Sequence, residues 1–234
     1  CFVLFLCSSC GKGKKTAPPV SPVTFAVIGN TGMASDNGLA LSALTGAVNK
    51  SGVEFTVDLG NRLPPGAPST GLEALWRAVD RDMEKFAMPV FPVAGSRDIF
   101  DAQSNAAYVD HYGPPWYSFV RGGTTFVMLH TGDESYRTGF GMAPSIGNEQ
   151  IEWLGGCARN ALGGPMVLFM NRPLWKDAPG LWRDRILPAL GTANVVLAVS
   201  ASDEGLCDCG KVDGIRVVTT GCTGTTGQIG PGLY

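Results

Sequence analysis

Histidine is nearly missing from this chain: its 234 residues include only two, His111 and His130. That scarcity excludes a centre built chiefly from imidazoles, such as a three-His zinc site. Charge is sparse as well, at 16% of residues against about 25% in an average soluble domain. The 18 Lys and Arg nearly balance the 20 Asp and Glu, for a net charge of −2. With no basic excess to neutralise phosphates, nucleic acid is excluded as a partner. Long apolar runs are lacking too, since Cys1-Phe2-Val3-Leu4-Phe5-Leu6-Cys7 falls far short of the roughly 20 residues a membrane helix needs. Glycine and proline, 32 and 16 residues, stay below the roughly 25–30% that marks low-complexity disorder. What is present is 44% hydrophobic residue in a length typical of one large domain, enough for a core without metal or disulfide staples.

Cys1 stands where an initiator Met would, so the chain is read as opening inside an apolar run. Ser8-Ser9-Cys10, followed by Gly11-Lys12-Gly13-Lys14-Lys15, resembles the end of a bacterial lipoprotein signal, in which small residues precede a Cys that becomes acylated. Cys7 stands where such signals usually carry Leu. The resemblance implies a partial signal peptide over 1–9, a lipidated Cys10 with a Pro-rich tether over 10–22, and an exported domain over 23–234 at the bacterial cell envelope. Ordinary signal cleavage and a cut membrane anchor are the alternatives. Loss of Cys1 and Cys7 and acylation of Cys10 would leave Cys157, Cys207, Cys209 and Cys222, an even set that permits disulfides without fixing their pairing. Cys207-Asp208-Cys209 has too short a spacing for a zinc knuckle, and no His is near it.

The body alternates apolar runs with helical patterns. Phe25–Ile28, Phe55–Val57, Pro89–Val93, Met166–Met170 and Val195–Val199 read as strands of sheets buried on both faces. From Leu72, the positions Leu75, Trp76, Val79, Met83 and Phe86 recur at helical spacing, and Thr70 with Glu73 has the form of a capping box. Asn148 is placed to cap a second helix bearing Ile151, Leu154, Ala158 and Ala161. Tyr117–Val120 and Thr124–Leu129, joined by Arg121-Gly122-Gly123, predict a hairpin.

In order along the chain, these phrases resemble the calcineurin-like metallophosphoesterase superfamily, in particular its purple acid phosphatase branch. Phe25-Ala26-Val27-Ile28-Gly29-Asn30-Thr31-Gly32 is similar to the first strand and its Asp-x-Gly turn. Leu59-Gly60-Asn61-Arg62 falls at Gly-Asp, and Phe91-Pro92-Val93-Ala94-Gly95-Ser96-Arg97-Asp98 at the strand ending in Gly-Asn-His-Asp. Trp116-Tyr117-Ser118-Phe119 resembles the family's hairpin, Gln150–Leu154 the helix before its fourth motif, and Met170-Asn171-Arg172-Pro173 that motif itself. The resemblance implies an α/β (in some schemes α+β) four-layer αββα sandwich. It also implies a site at the strand ends where two metal ions activate water and clamp a phosphoryl group.

Carried over position by position, that site has lost its chemistry. The two Asp ligands fall on Asn30 and Asn61, the Tyr ligand on Pro64 and the Asn ligand on Ser96. The His ligands fall on Asn171, Ser200 and Ser202, and the phosphate-facing His on Arg97. Two divalent ions about 3.5–4 Å apart repel by roughly 20 kcal/mol at an effective dielectric near 20, and Asn and Ser bring no charge to offset it. The expectation is therefore no metal, no cofactor and no catalytic residue. Asn30, Asn61, Asn171, Arg97 and Arg172 become candidates for holding a small anion, phosphate or carboxylate. Arg97 is alternatively a plug, paired with Asp98, Asp58 or Asp203. The leading functional expectation is a metal-free anion-binding or scaffolding domain. An atypical phosphoesterase, with one metal on Asn30, Asn61 and Asn171, and a purely structural lipoprotein are the rivals. His130 ends a strand where a general base would sit, but a lone His without an identified partner is read as structural. Gly221-Cys222-Thr223-Gly224 would cradle phosphate only if a helix opened after it.

Overall fold

A computed structural model describes residues 19–33, 39–132, 144–202 and 204–221, and in it the apolar runs become two facing sheets. β1 (Phe25–Ile28), β2 (Phe55–Asp58) and β3 (Val90–Pro92) form a three-stranded parallel sheet in that order. The second sheet has six strands, in the order β4 (Tyr117–Arg121), β5 (Thr124–Leu129), β6 (Pro165–Met170), β7 (Asn194–Ala201), β9 (Ile215–Thr220) and β8 (Cys207–Val212). It is parallel from β5 to β9, with an antiparallel hairpin strand on either side.

Strand alternation decides what each face buries. Phe55 and Val57 from the first sheet meet Phe126, Met128, Val167, Phe169 and Val199 from the second in one shared core. Phe55 lies 5.2 Å from Phe126, edge to face, and 5.4 Å from Phe25, stacked, so aromatic rings fill much of the gap between the sheets. The opposite face of the six-stranded sheet presents Leu129, Leu168, Met170 and Ala198 to a helical layer. That layer is α4 (Asn148–Asn160), α5 (Leu174–Asp177), α6 (Pro179–Leu181), a π-helical turn over Trp182–Ile186, and α7 (Leu187–Leu190). On the far side of the first sheet, α1 (Leu39–Lys50) places Leu41 and Val48 against Ile28. Beside it, α2 (Leu72–Met83) and α3 (Ala102–Tyr112) pack Trp76 and Tyr108 with Leu63, Ala94 and Ile99. The order helix, sheet, sheet, helix is the four-layer sandwich expected.

Two capping expectations are corrected. Gly71, not Thr70, occupies the N-cap of α2, in a left-handed conformation with φ 75° and no side-chain cap bond, and Glu73 pairs with Arg77 instead. Asn148 is the first residue of α4 rather than its cap, and its side-chain oxygen accepts from Arg185 at 2.5 Å. A true capping box lies at α3, where the Ser104 amide donates to Asp101 Oδ1 at 2.7 Å and the Asp101 amide to Ser104 Oγ at 2.8 Å. Phe86 lies beyond the end of α2 and is buried against α1. At the amino-terminal side, the Ser21 amide donates to Gly122 O at 2.9 Å, so the end of the Pro-rich stretch rests on the β4–β5 turn. Cys10, Asp203 and Cys222 lie outside the described residues. No helix among the described residues is long and apolar enough to cross a membrane.

Candidate functional site

The carboxyl ends of parallel strands are where open α/β sheets bind ligands, because the loops there diverge. At the tips of β1 and β2 the backbone turns through left-handed conformations at Asn30 (φ 50°) and Asn61 (φ 57°). Asn tolerates this region better than other side chains, so both residues suit the turn whatever else they do. Close backbone approach draws the tips together. A Cβ on Gly32 would stand 2.4 Å from Arg62 O, and one on Gly95 would stand 2.3 Å from the Asn61 amide nitrogen. Both positions therefore need glycine.

The amides at these tips are spent on one another. Asn61 Nδ2 donates to Asn30 Oδ1 at 2.9 Å, and Asn61 Oδ1 accepts from the Arg97 amide at 3.0 Å. From the other sheet, Asn171 Nδ2 donates to Leu59 O at 2.7 Å, bridging the tip of β6 to the end of β2. All three Asn side chains are buried. The remaining positions of the expected ligand set do not join them. Pro64 is exposed, Ser96 is half-buried, and Ser202 Oγ accepts from the Glu204 amide at 3.0 Å. Ser200 is fully buried, and by alternation it shares the helix-facing side of Ala198 rather than the inter-sheet side of Val199 and Ala201.

Beneath the amides lies an ionic centre that sequence reasoning did not assign. Asp98, with no exposure, accepts from the amides of Asn61 (2.9 Å), Arg62 (2.8 Å), Leu63 (3.3 Å) and Gly95 (3.0 Å). Its ion-pair partner is Arg62, 3.5 Å away and itself buried, and not Arg97. The Arg62 guanidinium is caged by the rings of Tyr112 (4.6 Å), Trp76 (5.4 Å) and Tyr108 (5.5 Å). Asp58, at the end of β2, accepts from the Gly60 amide at 2.9 Å and the Thr31 hydroxyl at 3.2 Å. Burial pushes the Asp58 carboxyl up to about 6, against the opposing pull of Arg62. The proximity of Arg62 to Asn61 in the chain was the available signal; its cage comes from two distant helices.

The two histidines go elsewhere. His111, on α3, bonds Asp80 of α2 at 3.0 Å and stacks on Trp76. His130 follows β5 and by alternation points into the gap between the sheets, like Met128, with 1% exposure and, among the described residues, no hydrogen-bond partner at either ring nitrogen. Burial pushes its pKa down to about 3, so the ring is neutral and shielded from solvent, unlike a working general base. Its backbone is clasped by Gln150, whose Oε1 accepts from the His130 amide at 2.9 Å and whose Nε2 donates to its carbonyl at 3.1 Å. Arg172 is held by Asp177 at 3.0 Å, and its amide donates to Thr131 Oγ1 at 3.3 Å. Arg97 is half-buried on the loop that brings Gly95 to Asn61.

The donors present do not fit a two-metal centre. Asn30 Oδ1 and Asn61 Oδ1 already accept bonds from within the chain, and none of the seven expected positions carries a carboxylate, phenolate or imidazole. Among the described residues, no group of three or more His, Cys, Asp or Glu side chains is arranged to hold a metal ion.

No family model matches the sequence, and no curated protein matches it. Solved structures do. The chain is similar to a dimetal phosphatase from zebrafish (Danio rerio), with a TM-score of 0.66 and 13% identity over 89% of this chain and 90% of that one. It is similar also to a purple acid phosphatase from seeds of yellow lupin (Lupinus luteus), with a TM-score of 0.56 and 14% identity. That match covers 89% of this chain but 46% of the lupin chain, so the present chain spans about half that protein. Likeness at this level of identity establishes the fold, that of the calcineurin-like metallophosphoesterases, and no activity.

Proposed function

We propose that this metallophosphoesterase fold has lost dinuclear hydrolysis and serves as a metal-free anion-binding or scaffolding domain of an exported protein at the bacterial envelope. The observation that carries the reading is the amide network at the strand tips. Asn61 satisfies Asn30 and the Arg97 amide, while Asn171 satisfies Leu59 O, in place of charged side chains directed at cations. Neutral tips remove the attraction for divalent metal. Arg97, on the loop after β3, is the guanidinium whose planar fork suits phosphate and carboxylate oxygens, whereas Arg172 is already held by Asp177. The export and envelope part of the reading rests on the lipoprotein-like Ser8-Ser9-Cys10 segment.

The test is an assay of the full chain on phosphomonoesters and phosphodiesters with saturating manganese, zinc or iron, beside thermal-shift titrations with phosphate and uronic acids. No turnover above the protein-free control is expected. A bound anion at 100 times its Kd stabilises by about 2.7 kcal/mol, an upward shift of about 5–10 °C for a domain this size. Arg97→Ala is expected to remove that shift. A shift that survives the substitution, or no shift with any anion, eliminates the anion clamp and leaves scaffolding. Metal-dependent turnover that chelation abolishes overturns the reading and establishes an atypical phosphoesterase.

A further inference from the structure

On the β8–β9 hairpin, at the outer edge of the six-stranded sheet, Cys207 and Cys209 are joined by a disulfide across a single residue. A regular pleat opposes such a link, because residues two apart on one strand stand about 6.6 Å from Cα to Cα. Here the Cα atoms are 5.3 Å apart, within the span a disulfide needs. The register gives the reason. Asp208 faces Val218 while Lys211 faces Arg216, so β8 carries one extra residue at this point, a bulge in which Gly210 adopts φ 74°. Asp208, between the two cysteines, is pinned by Arg216 Nη2 at 2.6 Å and accepts from the Gly210 amide at 3.4 Å. Bulge, glycine and ion pair together form a local frame that sets the two sulfurs side by side.

This link contributes little to the fold. Closing so short a loop removes little entropy from the unfolded chain, and neither cysteine belongs to any of the four apolar clusters. Residues 207–211 are all exposed on a sheet edge. Exposed, local disulfides are the ones that exchange readily, whereas buried structural ones resist the thiol pool. Cys157 offers a contrast, being a half-buried free thiol whose pKa is pushed up by burial.

We propose that Cys207-Asp208-Cys209 is a thiol–disulfide exchange site whose co-substrate is an external thiol. A thiolate RS⁻ attacks one of the two sulfurs; an RS–S bond forms, the Cys207–Cys209 bond breaks, and the other cysteine leaves as a thiolate. A second RS⁻ attacks the sulfur of R in the mixed disulfide, which forms RSSR and releases the remaining cysteine. Two thiols are thereby oxidised by two electrons, and the protein disulfide is reduced to a dithiol that takes up the two protons the thiols gave up. The reverse reaction with an external disulfide restores the site.

The competing account is that bulge and disulfide only blunt a sheet edge. The test incubates the full chain in buffers of reduced and oxidised glutathione, quenches with acid, alkylates, and reads the peptide spanning 207–209 by mass spectrometry. The expected result is half-reduction at comparable millimolar concentrations of the two forms, a trapped glutathione adduct on Cys207 or Cys209, and a Tm unchanged within about 2 °C on reduction. The double variant Cys207→Ser with Cys209→Ser should fold with the same Tm and yield no adduct at these positions, and Cys157→Ser should exchange as the parent does. A disulfide that survives excess reduced glutathione overturns the proposal. So does reduction that lowers Tm by more than about 5 °C, or a pair of thiols that oxidised glutathione never joins.

Discussion

Asp98→Asn is expected to destabilise the domain by about 3–5 kcal/mol although it leaves the number of heavy atoms in the side chain unchanged, because it disrupts a buried charge and its hydrogen bonds together. Oδ1 accepts from the amides of Arg62 and Leu63, and Oδ2 from those of Asn61 and Gly95. A carboxamide has one acceptor oxygen, so in either orientation two backbone N–H groups face an NH2 group. The Arg62 guanidinium, 3.5 Å from this carboxylate, is then left charged inside a ring cage. Against a typical total of about 5–15 kcal/mol, such a loss lowers Tm by roughly 6–20 °C. Denaturant melts of the two proteins measure it. A difference under about 1 kcal/mol would mean that Asp98 does not organise the loop after β2.

The second large effect is a pH dependence. His130 is neutral when folded, with its pKa depressed to about 3 by burial, so the unfolded chain binds the extra proton between about pH 6.5 and 3. Its contribution to stability is complete above about pH 6.5 and is lost progressively as pH falls toward 3, by about 1.4 kcal/mol per pH unit. Asp58 acts in the opposite sense. Its carboxyl is raised from 3.8 to about 6, so its contribution is complete below about pH 4 and is lost as pH rises through 6. The two slopes cancel between about pH 4 and 6, so the parent curve understates each. The difference between the parent and His130→Leu isolates the histidine. It should change by about 4–5 kcal/mol between pH 6.5 and 3, with the variant relatively more stable toward acid. Because only the slope is read, the constant packing cost of the substitution drops out; His130→Gln should give the same slope. A flat difference curve would show that His130 reaches solvent or a partner.

Much of the scaffold was legible because its strands are continuous apolar runs: Met166–Met170 is buried on both faces and lies within β6. The β4–β5 hairpin was legible from Arg121-Gly122-Gly123, where Gly122 and Gly123 take positive φ. Strand β8 was not, since Cys207-Asp208-Cys209-Gly210 has neither alternation nor a buried face. The helical layer over 174–190 was hidden by Pro179, Gly180 and Pro188, which break it into short segments with a π turn. In α1, Leu41, Leu44 and Val48 do recur at helical spacing, but Thr45 and Gly46 dilute the pattern.

The candidate site was legible as a set of positions and much less as a network. Resemblance placed Asn30, Asn61 and Asn171 at strand tips, and the tips of β1, β2 and β6 are where they lie. No sequence pattern tells which amide a given Asn will satisfy, because that depends on approaches such as Gly95 against Asn61. Nor could the ion pair be assigned. Arg97 adjoins Asp98 in the chain, yet the guanidinium that reaches the carboxylate comes from Arg62, drawn in by Trp76, Tyr108 and Tyr112.

Closed on themselves by neutral amides, the strand tips are expected to have no affinity for a pair of cations. Equilibrium dialysis of the full chain against micromolar manganese, zinc and iron(II), with metal counted per mole of protein, tests it most directly. Less than about 0.1 equivalent should be retained, unchanged by Asn61→Ala, because neutral amides offer a hard cation too little charge to hold it. Retention of about two equivalents that falls away in Asn30→Ala and Asn171→Ala would contradict it.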